Sequence, residues 1–186
     1  MRVLGFDPGT ATTGYGVIEK RGSRLIYVAH GVISTPPDHA FAQRLHTIFN
    51  ECMSLIERYR PEMVALEKLF FSQNVTTGIS VAQARGVIAL SAQINALPIG
   101  EYSPLEVKNA VVGYGKATKK QVQEMVKIIL KLEDLPRPDD AADALALAIC
   151  QSHAGTGPTV LQRLGAQPAT KATGPNAAVR RGRRSS

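Results

Sequence analysis

The sequence contains no tryptophan, only two cysteines in 186 residues, and no uncharged apolar segment near the roughly 20 residues that a membrane-spanning helix needs. Cys52 and Cys150 lie far apart, each within an apolar pattern, without a CxxC motif or a Cys/His pairing. We therefore expect neither a disulfide framework nor a zinc site. The first residues have too short an apolar stretch for a signal peptide, so we expect a cytoplasmic protein that is not associated with a membrane.

The positive charge is concentrated at one end of the chain. The formal net charge is +7, but residues 154–186 contribute six basic and no acidic residues, so the rest of the chain is close to neutral. The same segment is rich in Gly, Pro, Ala, Ser and Thr, which favours a disordered basic tail. We therefore expect one folded domain at 1–153 and a tail at 154–186. The overall charge alone does not decide whether the protein binds nucleic acid.

Hydrophobic periodicity predicts an α/β protein. Three strand patterns in the first 35 residues, separated by short turns, indicate an antiparallel meander. A helical pattern then begins at Asp38 and ends at Tyr59, and two short apolar strands follow at 63–66 and 97–102. Further helices are expected at 75–95, from Ser103, from about Thr118 and from Asp139 to about His153. This order predicts a mixed sheet covered by helices on both faces.

Four acidic residues lie at the ends of these elements. Asp7 and Glu67 each follow an apolar strand, and Asp140 and Asp143 stand three residues apart at the start of the last helix. Each acid has a structural explanation as a turn residue, an edge residue or a partner of the helix dipole. A carboxylate at the rim of a buried sheet is nevertheless costly unless it is paired or binds a metal. If the sheet brings these acids together, their oxygens suit Mg²⁺ or Mn²⁺, and a pair of such ions can cleave a phosphodiester.

The sequence also resembles a known family over residues 2–153. Its blocks FDPGTATTGYGVIE, ALEKLFFSQN, QARGV, VKNAVVGYGKATKKQVQEMV and DAADALALAI are similar to the signature blocks of the RuvC family of Holliday junction resolvases. This resemblance implies a ribonuclease H-like fold with a five-stranded sheet, and a homodimer that makes paired, symmetric, Mg²⁺-dependent nicks in four-way DNA junctions, leaving 5′-phosphate and 3′-hydroxyl ends. It further implies a role in recombination and repair, and a RuvA–RuvB branch-migration complex as partner.

The resemblance assigns roles to particular residues. The acidic ligands of two Mg²⁺ ions, for which Mn²⁺ could substitute, would be Asp7, Glu67, Asp140 and Asp143, with Asp139 outside the site. Phe70 matches an aromatic residue that contacts DNA, and Lys108 and Lys119 match basic residues of the family's DNA and catalytic sites. Lys116 and Lys120 lie beside them and would extend a phosphate-facing surface around the Gly113-Tyr114-Gly115 loop.

Three other interpretations remain open at this stage. The D-x-G-T start is also typical of actin-like and sugar-kinase ATPases, although those need a second lobe for which this chain has no room. A related nuclease of ribosomal RNA processing shares the first block but lacks the DAADALALAI ending. A DNA-binding module without catalysis would require the acids to be incidental.

Overall fold

The computed structural model describes residues 1–69 and 75–154. These residues form five strands and five helices, and the predicted tail lies outside the described part of the chain from residue 155 onward. The elements, in chain order, are β1 (Arg2–Asp7), β2 (Thr12–Arg21), β3 (Arg24–Ser34), α1 (Phe41–Tyr59), β4 (Met63–Glu67), α2 (Val75–Ile94), β5 (Ile99–Tyr102), α3 (Pro104–Val112), α4 (Lys119–Leu130) and α5 (Asp139–Ala154).

The sheet is mixed and five-stranded, as predicted. Its strand order is β3-β2-β1-β4-β5. The β1–β2 and β2–β3 pairs are antiparallel, and they form the predicted meander. The β1–β4 and β4–β5 pairs are parallel, so the carboxyl ends of β1, β4 and β5 share one edge of the sheet. Parallel strands require crossover connections, which α1 and α2 provide.

Helices cover both faces of the sheet and divide the core in two. On one face, α1 and α2 pack against Leu4, Phe6 and Leu66. On the other face, α3, α4 and α5 pack with residues such as Val3 and Ala65. Because side chains alternate along a strand, Asp7 and Glu67 project to the face that carries α5.

Three glycines allow the backbone of α5 to approach the sheet closely. A Cβ atom at Gly5 would overlap the carbonyl oxygen of Ala144, and one at Gly14 would overlap the carbonyl oxygen of Asp140. Gly16, which pairs with Gly5 across the sheet, faces the backbone of Leu145 in the same way. The start of α5 is therefore held directly against β1 and β2.

The helix ends confirm two sequence predictions and correct a third. Ser103 and Thr118 cap α3 and α4, and each forms a capping box with the residue three positions on. Helix α1 was expected from Asp38 but begins at Phe41, because Gln43 bonds back to the backbone N–H of Ala40 at 3.1 Å. Both cysteines are buried and free, as expected. No helix in the described part of the chain is long and apolar enough to cross a bilayer.

Candidate active site at the rim of the sheet

Asp7 and Glu67 lie side by side where two parallel strands end. Asp7 is the last residue of β1 and Glu67 the last of β4, and the preceding residues Phe6 and Leu66 are direct partners in the ladder. The Asp7 carboxyl is placed to donate a hydrogen bond to the Glu67 carboxylate when Asp7 is protonated. Neighbouring parallel strands therefore bring together two acids that are 60 positions apart in the sequence.

Helix α5 brings a third acid to the same place. Asp143 shares with Asp7 and Glu67 a cavity of about 240 Å³, which is also lined by Lys108 and Lys119 and by apolar side chains of α3, α4 and α5. Asp140 lies one helical turn earlier, close enough for its charge to act on Asp7, but it does not line the cavity. The structure thus brings Asp7, Glu67 and Asp143 into one cavity and leaves Asp140 at its edge.

Burial and mutual repulsion make these acids hard to ionise. Burial, followed by the negative charges of Glu67, Asp143 and Asp140, raises the pKa of Asp7 to about 8. Burial and the charge of Asp143 also raise the pKa of Glu67, although the hydrogen bond from Asp7 opposes the shift. Burial likewise raises the pKa of Asp143, against the opposing effect of Lys119. Asp7 therefore holds a proton at neutral pH.

Lys119 reaches this cavity from the first turn of α4. Its Nζ atom lies 2.9 Å from Oδ2 of Asp143 and 3.6 Å from Oδ2 of Asp139. Burial lowers the pKa of Lys119, but the hydrogen bond and the charge of Asp143 more than offset this effect and raise it. The helix dipole disfavours a cation at the amino end of a helix, and the negative charges of Asp139 and Asp143 offset this effect for Lys119.

Asp139 lies at the mouth of this arrangement. Its exposed carboxylate accepts a hydrogen bond from Gln123 at 2.9 Å and lies 3.6 Å from Arg137. The bond from Gln123 is the main reason why the pKa of Asp139 is low, unlike that of the cavity acids. Asp139 does not line the cavity, and the expectation that it lies outside the site remains a prediction.

The donor set of the cavity fits a hard divalent cation. All of the acidic groups are oxygen donors, which suit Mg²⁺ or Mn²⁺. Within residues 1–69 and 75–154, no three acidic, histidine or cysteine side chains form a ready-made metal site. Asp143 instead pairs with Lys119, and burial and the neighbouring negative charges raise the pKa of Asp7. A bound cation would provide the positive charge that these acids lack.

The other predicted residues lie around the cavity or outside the described chain. Lys108, on α3, is half-buried and lines the cavity. Lys116 precedes the cap of α4 and Lys120 follows Lys119 in the first turn, and both are exposed. Phe70 lies outside the described residues.

Sequence reasoning missed one residue next to the site. The Nε atom of Arg85, on α2, donates to the backbone carbonyl of Glu67 at 3.0 Å. Its guanidinium also pairs with the carboxylate of Glu101, on β5. The available signal was that Arg85 is the single charged residue of the sequence between 75 and 94.

Comparisons with known proteins identify the family and the fold of this chain. The family model described as "Crossover junction endodeoxyribonuclease RuvC" matches residues 3–151. A protein of that name from Heliobacterium modesticaldum is 54% identical over 156 residues, which cover 84% of this chain and 96% of the relative. The structure titled "T. thermophilus RuvC in complex with Holliday junction substrate" matches with a TM-score of 0.78 at 35% identity, over 82% of this chain and 93% of that one. The yeast mitochondrial Holliday junction resolvase Ydc2 shares the fold, with a TM-score of 0.58 at 17% identity.

Proposed function

The chain belongs to the RuvC family of crossover junction endodeoxyribonucleases, and we propose that Asp7, Glu67, Asp140 and Asp143 form its catalytic site. The protein is accordingly a metal-dependent nuclease that resolves Holliday junctions, and it has the ribonuclease H-like fold of that family. The observation that carries the site assignment is the cavity shared by Asp7, Glu67 and Asp143, where burial and the charges of the neighbouring acids raise the pKa of Asp7 to about 8. Shifted acids in a cleft are typical of catalytic sites.

We further propose that these four acids hold two Mg²⁺ ions, for which Mn²⁺ can substitute. Asp7 has the central role, because it is the most strongly perturbed acid and is influenced by the other three. Bound ions of this kind activate a water molecule and stabilise the leaving oxygen of a phosphodiester. Asp7 must give up its proton to hold a cation, and Glu67, which accepts the hydrogen bond from Asp7, is placed to hold the cation beside it. Cleavage then leaves 5′-phosphate and 3′-hydroxyl ends.

The lysines around the cavity are proposed to bind the DNA backbone. Lys119 opposes the rise in the pKa of Asp143 and brings positive charge to the place where a scissile phosphate would enter. Lys108 lines the same cavity, while Lys116 and Lys120 extend the basic surface towards solvent. Backbone amides at the start of α4 add favourable sites for phosphate oxygens. Phe70 is proposed to contact the junction beside them.

We propose that the enzyme acts as a homodimer through the exposed face of α2. Ile79, Leu90 and Ile94 are each more than half exposed, at 52%, 54% and 55%. Gly86 lies on the same face, and nothing lies within 4 Å of where its Cβ would be. Because Arg85 is the helix's one charged residue and its side chain is turned to the sheet, an uncharged surface remains that a second copy of the helix can approach closely. A two-fold axis would give each of two opposing strands its own site.

Other partners follow from this role. We propose that residues 1–153 form the nuclease domain and that the enzyme works in the cytoplasm on recombination and repair intermediates. A RuvA–RuvB branch-migration complex would then deliver the junctions.

Cleavage of a synthetic four-way DNA junction tests the proposal. The full chain is incubated with the junction with and without Mg²⁺, beside linear duplex and single-stranded RNA. We expect symmetric nicks in the junction only, and only with metal. Binding without nicks in both Mg²⁺ and Mn²⁺ would instead indicate a non-catalytic binding module, and cleavage of RNA alone would indicate the ribosomal RNA processing nuclease.

Two neighbouring acids of α5 provide a matched pair of variants for the same assay. Asp143→Asn removes an acid of the cavity, so cleavage should fall by roughly 10²–10³-fold. Asp139→Asn removes a nearby acid that does not line the cavity, and cleavage should change by no more than about threefold. Equal losses in the two variants would contradict the assigned set of acids.

A further inference from the structure

Arg85, the one charged residue of α2, points towards the end of β4 and not towards solvent. The Arg85 side chain is only 18% exposed, and the side chain of its partner Glu101 is 19% exposed. The guanidinium pairs with the Glu101 carboxylate, and its Nε atom donates to the carbonyl oxygen of Glu67 at 3.0 Å. A single side chain thus connects α2, the end of β4 and β5.

These contacts fix the backbone at a point where β4 is still paired with β5 but no longer with β1. The ladder between β1 and β4 ends at Phe6 and Leu66, so Glu67 is not paired with β1. On the other side, the N–H of Lys68 still donates to the carbonyl of Tyr102 at 2.8 Å. The carbonyl of Glu67 is satisfied by Arg85. Glu67 is therefore held from β5 and from α2, while its side chain projects to the opposite face of the sheet.

A largely buried ion pair is not explained by stability alone. Removing two charges from water is costly, and apolar side chains of similar size often stabilise a core equally well. Arginine can donate to a carbonyl and pair with a carboxylate at the same time, because its donors form a rigid planar fork. A lysine has only one ammonium and cannot hold both acceptors with the same geometry.

We propose that Arg85, oriented by Glu101, is a positioning residue that fixes the backbone of Glu67 and thereby aims its carboxylate into the catalytic cavity. The proposal rests on the function assigned above, because it gives Glu67 its role as a metal-holding acid. Arg85 itself packs on the other face of the sheet and does not line the cavity.

The test compares Arg85→Gln and Arg85→Lys with a matched control elsewhere in the sheet. Arg2 makes the same kind of bridge at the start of β1, donating to the carbonyl of Tyr59 at 2.8 Å and to the carboxylate of Glu19 at 2.9 Å. Arg2→Gln therefore removes an equivalent bridge far from Glu67. Four quantities are measured for each full-length variant: the melting temperature, junction affinity in a chelator, Mn²⁺ affinity by calorimetry, and the single-turnover cleavage rate.

For Arg85→Gln we expect Mn²⁺ affinity and cleavage to fall by about 10–100-fold, as is typical when a residue that orients a metal ligand is lost. Junction affinity should stay within about twofold, because the contacts with phosphates lie on other elements. Arg85→Lys should fall between Arg85→Gln and the wild type. Arg2→Gln should lower the melting temperature while leaving Mn²⁺ affinity unchanged.

Several results would overturn the proposal. The first is a wild-type Mn²⁺ affinity in both folded Arg85 variants. The second is a loss of Mn²⁺ affinity and cleavage that equals the loss in Arg2→Gln at the same melting temperature. The third is a junction affinity that falls as much as the cleavage rate. If Arg85→Gln does not fold, Arg85→Lys and Glu101→Gln decide the matter by the same measurements. The variant Glu67→Gln separates the site assignment from the positioning role of Arg85. If Glu67→Gln still cleaves junctions, the site assignment is refuted. If Glu67→Gln is inactive while the Arg85 variants are fully active, only the positioning role is refuted.

Discussion

The ammonium group of Lys119 lies 2.9 Å from Oδ2 of Asp143, so an ion pair between α4 and α5 forms one wall of the cavity that we propose as the catalytic site. The hydrogen bond and the charge of Lys119 lower the pKa of Asp143 and so oppose the rise that burial causes. Lys119 also brings a second positive charge, beside that of Lys108, to the cavity that holds Asp7, Glu67 and Asp143. Lys119 therefore stabilises the charged form of Asp143 and, by our proposal, also binds the phosphate that enters the site.

Lys119→Met should reduce cleavage more than junction binding. The pKa of Asp143 should rise further when the lysine is lost, so the acidic limb of the cleavage pH profile should move to higher pH. Cleavage should fall by about tenfold or more, as for other residues that orient metal ligands. Lys120→Met removes an exposed neighbouring charge as a control and should mainly weaken junction binding at low salt. An unshifted pH profile in Lys119→Met would contradict this role.

Asp7→Asn should abolish cleavage and at the same time stabilise the metal-free protein at high pH. The pKa of Asp7 is about 8 in the folded protein, against 3.8 as its ordinary value. Between these values the folded state keeps a proton that the unfolded chain has released, so the free energy of unfolding falls as the pH rises. Removing the carboxyl should add about 1–3 kcal/mol at pH 8 and little near pH 4, since each pKa unit corresponds to about 1.4 kcal/mol.

Urea denaturation of Asp7→Asn in a chelator at both pH values measures this difference. Asp134→Asn removes an exposed acid away from the cavity and controls for the loss of one negative charge. A stability gain that is equal at the two pH values, or equal in the two variants, would refute the explanation.

Gly5→Ala should destabilise the fold and displace the acids of α5. A Cβ at this position would overlap the backbone carbonyl of Ala144, which cannot move without the helix. Forcing extra volume into a packed core costs about 1–3 kcal/mol. Urea denaturation should show a lower free energy of unfolding. The cleavage rate should fall by more than the increase in the unfolded fraction of the protein can explain. A variant with wild-type stability would mean that α5 is not pressed against β1 as described.

The sequence predicts the elements well because their periodicity is local, but it does not predict how they meet. Asp7 and Glu67 could be placed at strand ends from the apolar runs before them. Their proximity depends on the parallel pairing of β1 with β4, a contact between distant parts of the chain. β2 extends from Thr12 to Arg21 and contains Gly14 and Gly16, two residues that a strand pattern alone does not explain. Only the approach of α5 explains why glycine is needed there.

Arg85 illustrates the same limit at the level of a single side chain. Its block was recognised as part of a resemblance, but its partners Glu67 and Glu101 come from two different strands. No local pattern specifies such a contact.

Leu90→Glu should convert the proposed dimer into monomers. Leu90 is 54% exposed near the centre of the uncharged face of α2, where two copies of the helix would meet around Gly86. A glutamate there would oppose its own copy across a two-fold axis, and the repulsion and desolvation of two like charges should break the interface. Ile128→Glu is the matched control, because Ile128 is 65% exposed on α4 and lies outside this face.

Sedimentation velocity should show a dimer for the wild type and for Ile128→Glu, and a monomer for Leu90→Glu. The monomer should also lose the paired nicks, since its second site no longer sits on the opposing strand. A dimeric Leu90→Glu protein would place the interface elsewhere, and a monomeric wild type that still makes paired nicks would refute the dimer itself.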